Sequence, residues 1–289
     1  MTATSDSDEP AFPSGDGGLV RLRLDIGYDG TDFSGWARQP GRRTVQETLE
    51  AALATVLRLD GPPSLTVAGR TDAGVHATGQ VAHVDLSPVV DPDEVRRRLA
   101  GVLPADLAVH RVGPAPAGFD ARFAAAGRRY RYRVTDGTPD PLRRRDTLVW
   151  KRPLDEAAMH RAAQGLVGEH DFAAYCRPRE GSTTVRTLRA LDVTRDPDRV
   201  VVVTAHADAF CHNQVRAMVG ALLAVGDGRR PVGWPAEVLR ARVRDSAVNV
   251  APPQGLTLVA VDYPPADEMS AQVERTRRRR GEPWRTLEA

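Results

Sequence analysis

Lysine is almost missing from this sequence. Lys151 is the only one, so 39 of the 40 basic residues are arginines. Two readings of that bias stay open: a genome that replaces lysine codons, or a chain that uses the planar guanidinium fork to hold phosphates. Charge of one sign is not in excess either. The formal net charge is +2, so any footprint for a polyanion must come from local arrangement rather than overall charge. Cysteine is scarce, with only Cys176 and Cys211 in 289 residues. That count excludes a disulfide framework and a paired metal-ligand spacing, and both residues read as small apolar side chains in a reducing, cytoplasmic setting. No apolar run is long enough to span a bilayer. The opening MTATSDSDEPAFPSGDGG carries acids where a secretory signal has bases and has no apolar centre, so neither signal nor anchor is expected there.

What is present is ordinary for a globular protein: 41% apolar and 27% charged residues. The length suits two domains. Residues 1–18 read as a disordered tail. Val20, Leu22, Leu24, Ile26 and Tyr28 alternate with Arg21, Arg23, Asp25 and Gly27, which predicts a half-buried strand. Thr44 and Glu47 form a capping box ahead of Val45, Leu49, Leu53, Val56 and Leu57, predicting a helix over 44–57. SLTVAG and GQVAHVDL read as strands, Asp91-Pro92 opens a helix to about Leu103, and LAVHRV and RRYRYRV read as further strands. TDGTPDPLRRRD is turn-rich and places a domain boundary near 136–147. Beyond it, a helix from about Asp155, strands LRALDVTR and RVVVVTAHADAF, helices over 212–225 and after Trp234-Pro235, and the strand GLTLVAVDYP follow. Regular βαβ spacing is lacking, so the expected class is α+β with largely antiparallel sheets flanked by helices. The units are 19–140 and 141–266, with a polar arginine-rich tail over 267–289 whose ERTRRRR run reads first as a solvated, disordered end and second as a non-specific RNA-contacting arm.

The stretch AGRTDAGVHATGQVAH puts Asp72 in a loop flanked by Gly69 and Gly74, between two predicted strands. Glycine lets a backbone approach a bulky ligand closely. The loop lacks the Gly-Lys-Ser/Thr ending of a phosphate loop, and a strand rather than a helix follows. His76 and His83 match no common zinc spacing with Asp72, so no metal is expected. On local grounds alone Asp72 can equally be an Asx-turn residue shaping its own loop.

GRTDAGVHATGQVAH as a whole closely resembles the signature of the TruA-type tRNA pseudouridine synthases. YDGTDFSGWARQP with TVQETLEAAL, ARFAAAGRRYRYRV, GEHDFAAYC, AFCHNQVRAMVGALLAVG and PPQGLTLVAVDYP resemble further family segments in the same order, covering about residues 20–265. Ala37, where glutamine is common, and RLAGVLPADL, which lacks the usual asparagines, depart from the pattern at secondary RNA or substrate contacts. The resemblance implies a pseudouridine synthase fold with a basic cleft between two domains, acting without cofactor or metal on the anticodon stem-loop of tRNA, at positions 38, 39 and 40. It implies a homodimer with tRNA bound across both subunits, and it puts the family's catalytic aspartate at Asp72.

A carboxylate working in a water-poor pocket needs a cation to keep it ionised and aimed. The resemblance assigns that part to Arg216, a guanidinium suited to a bidentate pair. It assigns the active-site tyrosine to Tyr130, whose ring can stack on uracil while its phenol offers a proton donor or acceptor. Tyr132 reads as core. Leu256 or Leu258 would wall the base pocket, although either equally reads as a core leucine. Arg70 would contact a phosphate or help extrude the base, and Arg38, Arg42 and Arg43 are weaker RNA-contact candidates. Two rivals remain: an RNA-binding protein in which Asp72 only shapes a loop, and a metal-dependent hydrolase using Asp72, His76 and His83.

Overall fold

The computed structural model describes residues 18–87, 91–177 and 183–281, so the tail expected over 1–18 lies, but for Gly18, outside the described residues. Its strands are β1 (Val20–Tyr28), β2 (Thr66–Val67), β3 (His76–Leu86), β4 (Leu107–Pro114), β5 (Gly127–Thr135), β6 (Leu148–Val149), β7 (Gly168–Asp171), β8 (Val185–Arg195), β9 (Val201–Ala207) and β10 (Leu256–Asp262). In β1 the predicted alternation holds: Val20, Leu22, Leu24 and Ile26 are buried, and Arg21, Arg23 and Asp25 face outward. The helices are α1 (Val45–Leu57), α2 (Pro92–Val102), α3 (Glu156–Gln164), α4 (Gln214–Gly226), α5 (Trp234–Ala241) and α6 (Met269–Gly281). Their starts follow the caps read from sequence. Thr44 Oγ1 accepts from the Glu47 amide at 3.4 Å, Asp91 caps α2, and Asp155 accepts from the Ala158 amide at 2.8 Å.

The strands form one sheet in the order β4-β1-β3-β10-β5-β9-β8-β7, with β2 on β3 and β6 on β5. Pairing is antiparallel except for β10 on β3 and β6 on β5, so the fold is α+β with largely antiparallel strands. β10 comes late in the chain yet lies centrally, between β3 and β5, two strands that both precede residue 136. Sheet hydrogen bonding therefore joins the stretches before and after 136–147, since β5 pairs with β10 on one side and β9 on the other.

Twelve of the thirteen α4 residues are buried, and Arg216 is the exception. Segment 249–251 crosses this helix so closely that a Cβ at Gly220 would lie 1.6 Å from the Asn249 carbonyl oxygen. The backbone amide of Ala251 donates to the Arg216 carbonyl at 3.0 Å.

Two expectations change. The arginine-rich C-terminal stretch is not a disordered end, because Met269–Gly281 is helical. Met269 is 3% exposed within an apolar cluster with Phe119, Ala121 and Val81, and Val273, one turn later, packs against the same cluster. Two large apolar residues four apart suffice to seat a helix whose other positions are mostly polar. The strand read in SLTVAG shrinks to β2, since the chain leaves the sheet at Gly69, whose carbonyl accepts from the Gln80 side chain at 2.8 Å.

Candidate active site

The loop between β2 and β3 carries Asp72, and its neighbours fix it at nearly every peptide. Thr71 Oγ1 lies 2.7 Å from the Tyr28 hydroxyl, which accepts from Gln80 Nε2 at 3.2 Å. Burial pushes the Tyr28 phenol up to about 12, so it stays protonated and can donate to Thr71. The Thr71 carbonyl accepts from the Trp36 amide at 3.0 Å, and the Gly74 amide donates to the Phe33 carbonyl at 3.3 Å. Two glycines in the left-handed region allow this fit. Gly35 (φ +92°) lets the SGW turn lie against the main chain of Thr71–Ala73, and Gly74 (φ +76°) makes room for Pro253.

The Asp72 carboxylate points to the start of α4. Oδ1 is 3.4 Å from His212 Nε2 and Oδ2 is 3.7 Å from Arg216 Nη1. The expected bidentate fork does not form. Arg216 instead divides its donors, with Nε donating to the Ala251 carbonyl at 2.7 Å and Nη1 donating also to Asn213 Oδ1 at 3.4 Å. Asn213 itself sits in the left-handed region (φ +66°), turning the chain into α4.

Tyr130 lies in β5, opposite Leu258 of β10 and Ala205 of β9. Its ring meets Phe210 edge to face at 5.3 Å. Burial first, and the fields of Tyr28 and Asp72 with it, raise its phenol well above the usual tyrosine range, so the group stays a neutral hydroxyl near the carboxylate. Leu256 and Leu258 are both buried. Tyr132 is core, fully buried with its hydroxyl donating to the Pro252 carbonyl at 2.7 Å. Arg70 is exposed, with no hydrogen bond or ion pair among the described residues. Arg38 and Arg43 are engaged elsewhere, with Glu50 at 2.6 Å and Asp106 at 2.7 Å.

His76 and His83 do not converge on Asp72. Gly30 donates its amide to His76 Nδ1 and Ala121 donates its amide to His83 Nδ1, each at 3.0 Å. Among the described residues no three histidine, cysteine or acidic side chains form a metal-holding group. Cavities of about 570 and 400 Å³ lie elsewhere, and Asp72 lines neither.

The sequence reading missed Phe210, His212 and Asn213. His212 and Arg216 are four apart, one helical turn, and that spacing was the available signal. It also took the cysteines as two separate apolar side chains. The structure corrects this: the sulfurs of Cys176 and Cys211 are in bonding contact, with Cα atoms 5.7 Å apart. A separation of 35 residues hid the pairing. The β8–β9 hairpin folds the stretch after β9 back onto the turn after β7.

Residues 26–124 and 162–264 match the family described as tRNA pseudouridine synthase. A tRNA pseudouridine synthase A of Frankia casuarinae is 63% identical over 262 residues, covering 90% of this chain and 95% of that one. One from Streptomyces griseus is 59% identical, covering 92% and 93%, and one from Corynebacterium glutamicum is 48% identical, covering 89% and 94%. Among solved structures, an H/ACA RNP bound to a substrate RNA containing 2'-deoxyuridine overlaps with a TM-score of 0.31 at 14% identity, over 70% of this chain and 53% of that one. That overlap is too small to rank the two folds as alike.

Proposed function

The chain belongs to the tRNA pseudouridine synthases and isomerises uridine to pseudouridine in tRNA, and on that premise we propose that Asp72 is its catalytic carboxylate and that the target uridines lie in the anticodon stem-loop, at positions 38, 39 and 40. One observation carries the reading. Asp72, on a loop pinned through Thr71, Gly35 and Gly74, faces the two cationic or proton-bearing side chains at the start of α4 while its carboxylate stays one-third exposed.

The reaction breaks the N-glycosidic bond, turns the uracil and rejoins it through C5. A carboxylate can serve by attacking C6 of the ring or C1′ of the sugar, or by taking the C2′ proton. Each route needs an aimed oxygen. Arg216 and His212 hold one Asp72 oxygen each, and Arg216 is itself fixed by Ala251 and Asn213. Tyr130 offers a neutral hydroxyl and an aromatic face beside that carboxylate, and Leu256 and Leu258 support the strand wall behind it. Arg70, exposed two residues before Asp72, is free to meet a phosphate as the uridine leaves its stack, a step costing a few kcal/mol.

In the same reading the units 19–140 and 141–266 share one sheet, tRNA lies in a basic cleft across a homodimer, and the enzyme works in the cytoplasm without cofactor or metal. No helix among the described residues is long and apolar enough to cross a membrane.

The test uses the hydrogen that leaves C5 when the new bond forms. Wild-type and Asp72→Asn proteins are incubated with unmodified tRNA tritiated at C5, with chelator present, and tritium in water is counted. Release by wild type alone supports Asp72 as the catalytic group. Release by both at equal rates refutes it, and mapping the product sites checks the anticodon assignment.

A further inference from the structure

Four consecutive residues, Phe210–Asn213, link β9 to α4, and three of them touch the Asp72 site. Phe210 meets Tyr130, His212 meets Asp72, and Asn213 meets Arg216. The fourth is Cys211, and it faces Cys176. Their Cα separation of 5.7 Å lies inside the 4.4–6.8 Å range that a disulfide spans, so bonding requires no backbone movement. Beside them the Arg177 amide donates to the His212 carbonyl at 3.0 Å, which aligns the two segments. The chain holds no third cysteine with which either can mispair.

We propose that Cys176 and Cys211 form a redox modification site, joined reversibly under a hydroperoxide-class oxidant, and that the bond clamps the Phe210–Asn213 wall of the active site in its assembled form. The functional half of this rests on the proposed role of Asp72.

Exposure sets the order of events. Cys211 is half-buried and Cys176 is 1% exposed, so a small peroxide meets Cys211 first. The Cys211 thiolate attacks one peroxide oxygen, the O–O bond breaks, hydroxide leaves and a sulfenic acid remains. Cys176 then attacks that sulfur. The S–S bond forms, the S–O bond breaks and water departs with the thiol proton. In sum, two thiols and one hydrogen peroxide become one disulfide and two waters, and a dithiol reductant reverses it.

Apart from the bond, the Cys211 end is held by its amide, which donates to Gln214 Oε1 at 3.0 Å. That contact lies within one turn, so among the described residues only the Arg177–His212 hydrogen bond reaches from the wall to the stretch after β7. The disulfide adds a covalent tie and closes a loop of 35 residues, which removes freedom from the unfolded chain. Because the arrangement with the sulfurs together is also the one in which Asp72 meets His212 and Arg216, clamping preserves turnover.

The full-length protein is compared after dithiothreitol and after a stoichiometric excess of hydrogen peroxide, by intact mass, maleimide thiol count, thermal unfolding and tritium release from C5-labelled tRNA. The expected result is a loss of two hydrogens and both thiols, a melting temperature higher by roughly 5–10 °C, and turnover within about twofold of the reduced enzyme at 25 °C. Cys176→Ala should match the reduced wild type in turnover and show no peroxide-dependent rise in melting temperature. Retention of two thiols, separate oxidation of each to acids, an unchanged melting temperature, or a cross-linked protein without turnover would each overturn the proposal. Absence of tritium release from the reduced wild type would instead strike the catalytic reading, leaving the mass and melting results to judge the cross-link alone.

Discussion

Adding one methyl group at Gly35 should disable the enzyme from the loop opposite Asp72. Two penalties combine. A φ of +92° costs a residue with a Cβ about 1–3 kcal/mol. That Cβ would also stand 2.8 Å from the Thr71 carbonyl oxygen, 3.1 Å from the Ala73 nitrogen and 3.2 Å from the Asp72 carbonyl carbon. All three are main-chain atoms of the Asp72 loop, so no side chain can swing aside. Restoring an ordinary contact of about 3.4 Å means moving that loop by roughly 0.6 Å, and displacements approaching 1 Å can cost about 100-fold in rate. Gly35→Ala should therefore lower tritium release by about 10–100-fold while tRNA binding changes little. Gly41→Ala is the control, because Gly41 also has a positive φ (+67°) but no atom within 4 Å of the added Cβ. It should lose stability in urea titrations and keep turnover. Equal turnover in the two variants would refute the claim that Gly35 positions Asp72.

Arg216→Lys cannot serve Ala251, Asn213 and Asp72 at once, so it should lose about 1.5–3 kcal/mol of stability in urea titrations and more than about tenfold in turnover. Unchanged turnover would remove Arg216 from the site. His83 supplies an acid limit: burial, then the charge of Arg21, lowers its imidazole to about 4. The unfolded chain takes up that proton below about 6.5, so the stability is complete above that pH and is lost as pH falls towards 4. Urea midpoints at pH 7 and pH 5 should differ by more in the wild type than in His83→Asn, whose amide oxygen can still accept from Ala121. Binding of tRNA should weaken linearly on a log–log plot against salt, and a flat line would dismiss the basic cleft.

Local pattern carried much of the fold. β1 reads directly from alternation, and α1, α2 and α3 begin at Thr44, Asp91 and Asp155 because a capping side chain acts within three residues. What it could not carry was order across the sheet. Nothing local in GLTLVAVDYP indicates that β10 slots between β3 and β5. Strand β7, in GEHD, has no apolar alternation and forms only because β8 lies beside it. The site shows the same division. Asp72, Tyr130 and Arg216 came from resemblance to long motifs, whereas His212, Asn213 and the Cys176–Cys211 pair depend on how β9 and α4 fold back, which spacing alone does not encode. The bidentate Asp72–Arg216 pair failed for a related reason, since the Ala251 carbonyl that claims Arg216 Nε lies 35 residues away.

The late strand β10 has a consequence for how the enzyme comes into being on the ribosome. Residues 251–258 supply the Ala251 carbonyl to Arg216, the Pro252 carbonyl to Tyr132, the Gln254 carbonyl to His76, and the pairing of Thr257 and Leu258 with His76 and Ala77. Asp72 emerges from the ribosome well before the strand beside its loop. Until then β3 and β5 present unpaired edges to each other across an unfilled slot, the kind of exposed edge that invites wrong partners. A nascent chain stalled before residue 251 thus carries every side chain of the carboxylate, guanidinium and tyrosine set and still has no assembled enzyme. Activity arrives in one step once residues 251–258 are made, so termination before them yields inert protein rather than a weakened isomerase.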